Sequence, residues 1–129
     1  MATLISRQSI EIILAFAPPL SAVRGKNYRD PQVAKAVALF VTAMHESGFM
    51  IIGYDWQQAF AGERKHELHD AGLLETASPM QLREIMTAQI RADRFCEGHL
   101  AALIQNGYIA GFIRRLKALR KDFQENDYA

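Results

Sequence analysis

The sequence predicts an all-α fold: a single compact domain of five to seven helices that ends in a C-terminal helical hairpin. Three observations predict it. Apolar residues recur at helical spacing, most plainly at Val33, Val37, Phe40, Val41 and Met44 and again at Ile109, Phe112, Ile113, Leu116, Leu119 and Phe123. Two acceptor–proline pairs, Asp30-Pro31 and Ser78-Pro79, place a capping side chain directly before a residue whose fixed φ suits a first helical turn. Only one short segment, residues 49–54, reads as extended, and a strand without a partner is not stable.

Each element follows from local chemistry. Leu4, Ile5, Ile10, Ile13, Leu14 and Phe16 predict a first helix that Pro18-Pro19 ends. Residues 20–30 read as a polar loop. From Pro31 to about Ser47 a helix is apolar on most sides, because Ala34, Ala36, Ala38 and Leu39 extend the main stripe, so it is expected at the centre of the fold. Gly48 follows it as a C′ residue. Residues 49–55 form a buried extended connector, after which Asp55 caps a short helix through Trp56 and Phe60. Gly62 breaks that helix, and a further turn or two ends near Gly72. Ser78, Pro79 and Gln81 form a capping box for a helix carrying Leu82, Ile85, Met86 and Ile90. A break is expected at Ala92-Asp93, because an unbroken helix would carry Gln89 and Asp93 on its buried stripe; Asp93 then caps a new helix. Within that helix Gly98 costs about 1 kcal/mol against alanine, which predicts a close approach by the last helix. Gly107 separates the two arms of the hairpin. The domain spans residues 1–129, with the weakest signals over 1–27 and a frayed tail at 124–129.

With 129 residues, 50% of them hydrophobic and 22% charged, the chain has ordinary globular composition. A net charge of +1 supplies no broad electrostatic reason for a polyanionic partner. One cysteine, Cys96, allows no internal disulfide and points to a reducing, cytoplasmic compartment. Arg7 and Glu11 interrupt the apolar start, so it does not read as a signal peptide, and no run approaches a membrane span.

Two constellations bear chemistry. His66 and His69, and Cys96 and His99, are each three residues apart and would offer zinc-type donors if the pairs met. The "HELH" segment lacks the spacing of a zinc-protease motif, and the plain reading is two solvated histidines and a small packed thiol. No cofactor is called for. The arginines Arg91, Arg94, Arg114, Arg115 and Arg120 flank the C-terminal hairpin and suit bidentate capture of carboxylate or phosphate. The competing expectation is internal pairing with Glu84 and Glu97. On that basis Arg94, one turn from Glu97, is expected to be structural, and Arg91, at the break, to be the contact residue.

Residues 54–56 (Tyr-Asp-Trp), the run Arg91, Arg94, Phe95 and Gly98, then Gly107, then Arg114-Arg115-Leu116, together resemble a small bacterial and archaeal family catalogued as a domain of unknown function. The likeness covers about the last two-thirds of the chain. It implies a bacterial setting and makes the arginine–glycine hairpin the defining feature, and it brings no activity, ligand or catalytic residue.

The leading functional expectation is a non-catalytic interaction or regulatory module, with an unknown protein partner or self-association, using Arg91, Arg94, Trp56, Arg114 and Arg115, because tryptophan and arginine dominate binding hot spots. A nucleic-acid-binding protein using the same arginines comes second. A metal-dependent enzyme built on His66, His69, Cys96 and His99 is the remaining alternative. No membrane is expected among the partners.

Overall fold

The computed structural model describes residues 6–16, 20, 22–27 and 29–122. The helices are α1 (Arg7–Leu14), α2 (Pro31–Glu46), α3 (Trp56–Ala59), α4 (Pro79–Ala92), α5 (His99–Gln105) and α6 (Tyr108–Arg120), with two 3₁₀ helices, Glu63–His69 and Ala71–Glu75, between α3 and α4. The described residues contain no strand, and the fold is all-α in one compact domain. Expectations resting on Leu4, Ile5, Pro18, Pro19, Phe123 and the tail 124–129 lie outside the described residues.

Local capping chemistry sets most of the helix starts. Ser6 and Ser9 form a reciprocal box at α1. Asp30 accepts from the Gln32 amide, with Pro31 beginning α2. Asp55 accepts from the Gln58 amide to start α3. Ser78 accepts from the Gln81 amide at α4. Only half of the expected box forms there, because the Gln81 side chain donates to Glu67 Oε1 at 3.3 Å instead of turning back. The break at Ala92-Asp93 is present: α4 ends at Ala92, and Asp93 Oδ1 accepts from the Leu100 amide at 2.9 Å, capping α5 across an intervening loop.

Gly98 differs from expectation. It is not inside a helix but precedes α5 with φ of 81°, a left-handed backbone that strains any residue with a Cβ. The need for glycine here is conformational.

The expected central helix is also corrected. α2 buries Val33, Ala36, Phe40, Ala43 and Met44, while Val37 and Val41 are half-buried and Ala34 and Ala38 are exposed. Alanines leave little apolar area in water, so a helix that looks greasy by count can still lie at the surface. The centre is α4, which buries Leu82, Arg83 and every residue from 85 to 90. It packs against the first 3₁₀ helix, α3 and α5. α6 closes the core with Tyr108, Ile109, Phe112, Ile113, Leu116 and Leu119. The Phe112 ring meets Phe40 and Phe49 edge-on, with centroids 6.1 and 5.5 Å apart. Leu20 and Val23, expected in a polar loop, are buried in the same core.

Candidate interaction surface

An extended connector with no strand partner leaves backbone donors and acceptors that must be satisfied elsewhere. Here one face of α4 satisfies them. Arg83, Thr87 and Arg91 stand four residues apart and therefore stack along the helix. Arg83 Nε donates to the Phe49 carbonyl at 2.9 Å and Nη2 to the Gly48 carbonyl at 3.3 Å. Thr87 Oγ1 accepts from the Ile51 amide at 3.1 Å. Arg91 donates to the carbonyls of Ile51 and Tyr54, both at 2.8 Å. The Tyr54 hydroxyl donates to Glu84 Oε2 at 3.1 Å, which ties the end of the connector to the same helix.

Arg83 is the largest fully buried side chain, 1% exposed. Its Nη1 has no hydrogen-bond partner among the described residues, and burial pulls its pKa below the ordinary guanidinium value. Sequence reasoning passed over it, because it sits between Leu82 and Glu84 with nothing local to mark it. The available signal was the spacing Arg83, Thr87, Arg91 on a helix that follows an unpartnered connector.

The clamp has an outward consequence. Between the two carbonyls held by Arg91, the connector turns at Gly53 with φ of 73°, and Ile52 stands 92% exposed. One turn past Arg91, Phe95 is 74% exposed and packs on the half-buried Trp56, with ring centroids 6.3 Å apart. Arg94 lies beside them. Below this edge a cleft of about 200 Å³ runs between α2 and the end of α4, lined by Val41, His45, Met50 and Arg91 among others.

The two central arginines are placed differently from expectation. Arg91 is half-buried and engaged with carbonyls, so it is the structural one. Arg94 is exposed and, among the described residues, makes no ion pair or hydrogen bond through its guanidinium. The reason is the break: Arg94 lies beyond the end of α4, so its three-residue spacing to Glu97 is not helical, while Arg91 still projects from the clamping face. Glu84 pairs with Arg64 at 3.3 Å and not with Arg91. The wider cluster is divided as well. Arg115 donates to the Ala77 carbonyl at 3.0 Å, Arg120 meets Glu11 at 3.4 Å, and Arg114 faces solvent.

The metal alternative required His66, His69, Cys96 and His99 to converge. Among the described residues no three histidine, cysteine, aspartate or glutamate side chains are grouped to hold an ion. His66 Nδ1 lies 2.6 Å from the Glu63 carbonyl, and Cys96 is exposed. His99 belongs to a different arrangement, centred on Gln89, which is 1% exposed. Gln89 Nε2 donates to the Leu68 carbonyl at 2.8 Å and to the Tyr108 hydroxyl at 3.2 Å. A carbonyl can only accept, so the amide orientation is fixed, and Oε1 faces His99 Nε2 at 2.7 Å. His99 must therefore carry its proton on Nε2. Desolvation lowers its pKa, with a nearby His69 acting in the same direction and Asp93 opposing.

A second network anchors the 3₁₀ segment. Arg64 Nε donates to the buried Glu67 at 2.8 Å, its guanidinium lies 4.7 Å from the Phe60 ring centroid, and the Arg64 bond holds the Glu67 pKa below the usual carboxylate value. Gln89, Arg64 and Glu67 thus serve the fold around the surface and are not part of it.

No curated protein and no solved structure matches the chain significantly. A family model does match, over residues 10–122, which takes in the clamp, the exposed Ile52–Phe95 edge and the C-terminal hairpin, and reaches further toward the N-terminus than the resemblance drawn from the motifs. The chain belongs to that family, described as a family of unknown function (DUF6508).

Proposed function

We propose that the chain is a non-catalytic protein-interaction module whose contact surface is made of Ile52, Trp56, Phe95 and Arg94. The observation that carries this reading is Ile52: a large apolar side chain, almost wholly in water, on a connector whose backbone is held on both sides by Arg91 and Thr87. A loop of that kind loses little conformational entropy when a partner covers it, which is the main cost of ordering a contact loop. Trp56 beneath Phe95 supplies a rigid aromatic base, and Arg94 supplies an unengaged cation at the edge. Arg91 leaves the contact set, and Arg114 and Arg115 lie apart from it in role. The exposed, lone Cys96 supports a reducing, cytoplasmic setting. Among the described residues no helix is long and apolar enough to cross a membrane.

Ile52→Asp and Phe95→Asp separate contact from structure. Both side chains are exposed, so each variant should keep its unfolding free energy within about 0.5 kcal/mol of the parent. Each should lose binding to whatever protein the parent retains on a column. A stability loss above about 2 kcal/mol with binding intact would assign these side chains to the fold instead.

A further inference from the structure

The surface also indicates what kind of partner fits it. Three large hydrophobic side chains are exposed among the described residues, Ile52, Met80 and Phe95; Ile52 follows the carbonyl of Ile51 that Arg91 holds, and Phe95 lies four residues past Arg91 and packs on Trp56. Their surroundings carry both signs of charge. Arg94 and Glu97 lie on either side of Phe95-Cys96 in one loop, both exposed, and neither forms an ion pair among the described residues. A uniformly acidic partner would meet Glu97, and a uniformly basic one would meet Arg94. An apolar centre with unengaged charges of both signs on its rim is complementary to itself under a two-fold rotation. A chain of net charge +1 also offers little long-range repulsion to its own copy.

We propose that this surface is an isologous interface between two copies of the chain, with Phe95 near the two-fold axis and Arg94 of each copy paired with Glu97 of the other. The proposal rests on the interaction reading above and names its partner. The association is expected to be concentration-dependent, as for any exchange between one chain and two.

The test uses the full chain in sedimentation velocity from about 10 μM to about 1 mM. The mass should rise from that of one chain toward that of two. Arg94→Glu and Glu97→Arg should each weaken association by about tenfold, because each places like charges opposite one another twice. Mixing the two variants should restore association, since each carries the charge the other has lost. A short bis-maleimide should link two copies through Cys96 in the parent and in the mixture, and much less in either variant alone. Unchanged melting temperatures in both variants exclude misfolding as the cause.

A chain that stays single at about 1 mM overturns the proposal, and so does a dimer indifferent to the charge exchange. The wider reading is judged separately. If the chain is monomeric yet Phe95→Asp abolishes retention of a different protein, the surface binds but its partner is not a second copy. If neither association is seen, both readings fail.

Discussion

Replacing Arg83 by alanine should cost about 4 kcal/mol of unfolding free energy, measured as a lower denaturant midpoint at unchanged slope. Three effects add. Truncating a wholly buried long side chain leaves a cavity, which in well-packed cores costs about 2–5 kcal/mol. The carbonyls of Gly48 and Phe49 lose their donors, at about 1–3 kcal/mol for each that water does not reach. Against these stands the relief of a guanidinium buried without a carboxylate, which on its own destabilises the fold by several kcal/mol. Arg83→Met separates the contributions, because it keeps most of the volume, removes the buried charge and still orphans the carbonyls. It should recover about half of the loss. An alanine variant within about 1 kcal/mol of the parent would mean that the connector does not depend on this side chain.

Gln89→Leu should be the next most damaging change, at about 3 kcal/mol. The volume is nearly kept, so the cost comes from unpaired groups: the Leu68 carbonyl, the Tyr108 hydroxyl and the Nε2–H of His99. The Tyr108 hydroxyl is the costliest, because Tyr108 is buried while Leu68 and His99 are half-buried. His99 adds a pH dependence of fixed sign. Its folded pKa lies below the ordinary value of about 6.5, so the unfolded chain binds more protons in the interval beneath that value. Stability from this residue is fully present above about pH 6.5 and declines as the pH falls toward the lowered folded value. Glu67, with a pKa depressed chiefly by its bond to Arg64, adds a second loss at more acidic pH, as the pH falls through its folded value below 4.5. Denaturant midpoints measured across this range should show the decline below pH 6.5, and His99→Gln should remove it. Midpoints that rise on acidification from pH 7 to 5 would contradict the assignment.

What the sequence made legible was local. Asp30-Pro31, Asp55 and Ser78-Pro79 each depend on a side chain reaching a backbone amide two or three residues on, and each is present; the break after Ala92 is present too, but α5 starts behind Gly98 and Asp93 reaches its Leu100 amide from seven residues away. What it hid depended on tertiary placement. The connector was readable as extended, but it is buried only at Phe49 and Met50, and nothing within it says that the face of a helix thirty residues later holds its carbonyls. The unexpected placement of Arg91 and Arg94 has the same origin. They are three positions apart on paper, yet the break at Ala92-Asp93 leaves one on the clamping face and sends the other into solvent. The misplaced centre of the fold came from counting alanines as if they demanded burial. Arg83 escaped notice because charged residues are almost never fully buried unless paired. The exposed edge was legible only in part: Trp56 was identified, Phe95 stood out only as a motif residue, and Ile52 read as part of a buried connector, whereas the turn at Gly53 leaves it in water.

Amide hydrogen exchange at Ile51 tests the clamp most directly. Its N–H donates to Thr87 Oγ1, so it should be protected in the parent although it lies in an irregular segment beside the exposed Ile52. In Thr87→Val the hydroxyl acceptor is gone while the shape is nearly kept, and the Ile51 amide should exchange at least about tenfold faster, with the amides of α4 between Leu82 and Ile90 unchanged. An Ile51 amide that exchanges in the parent as fast as an unprotected loop amide would show that the connector is not held, and the presentation of Ile52 on a fixed loop would fall with it.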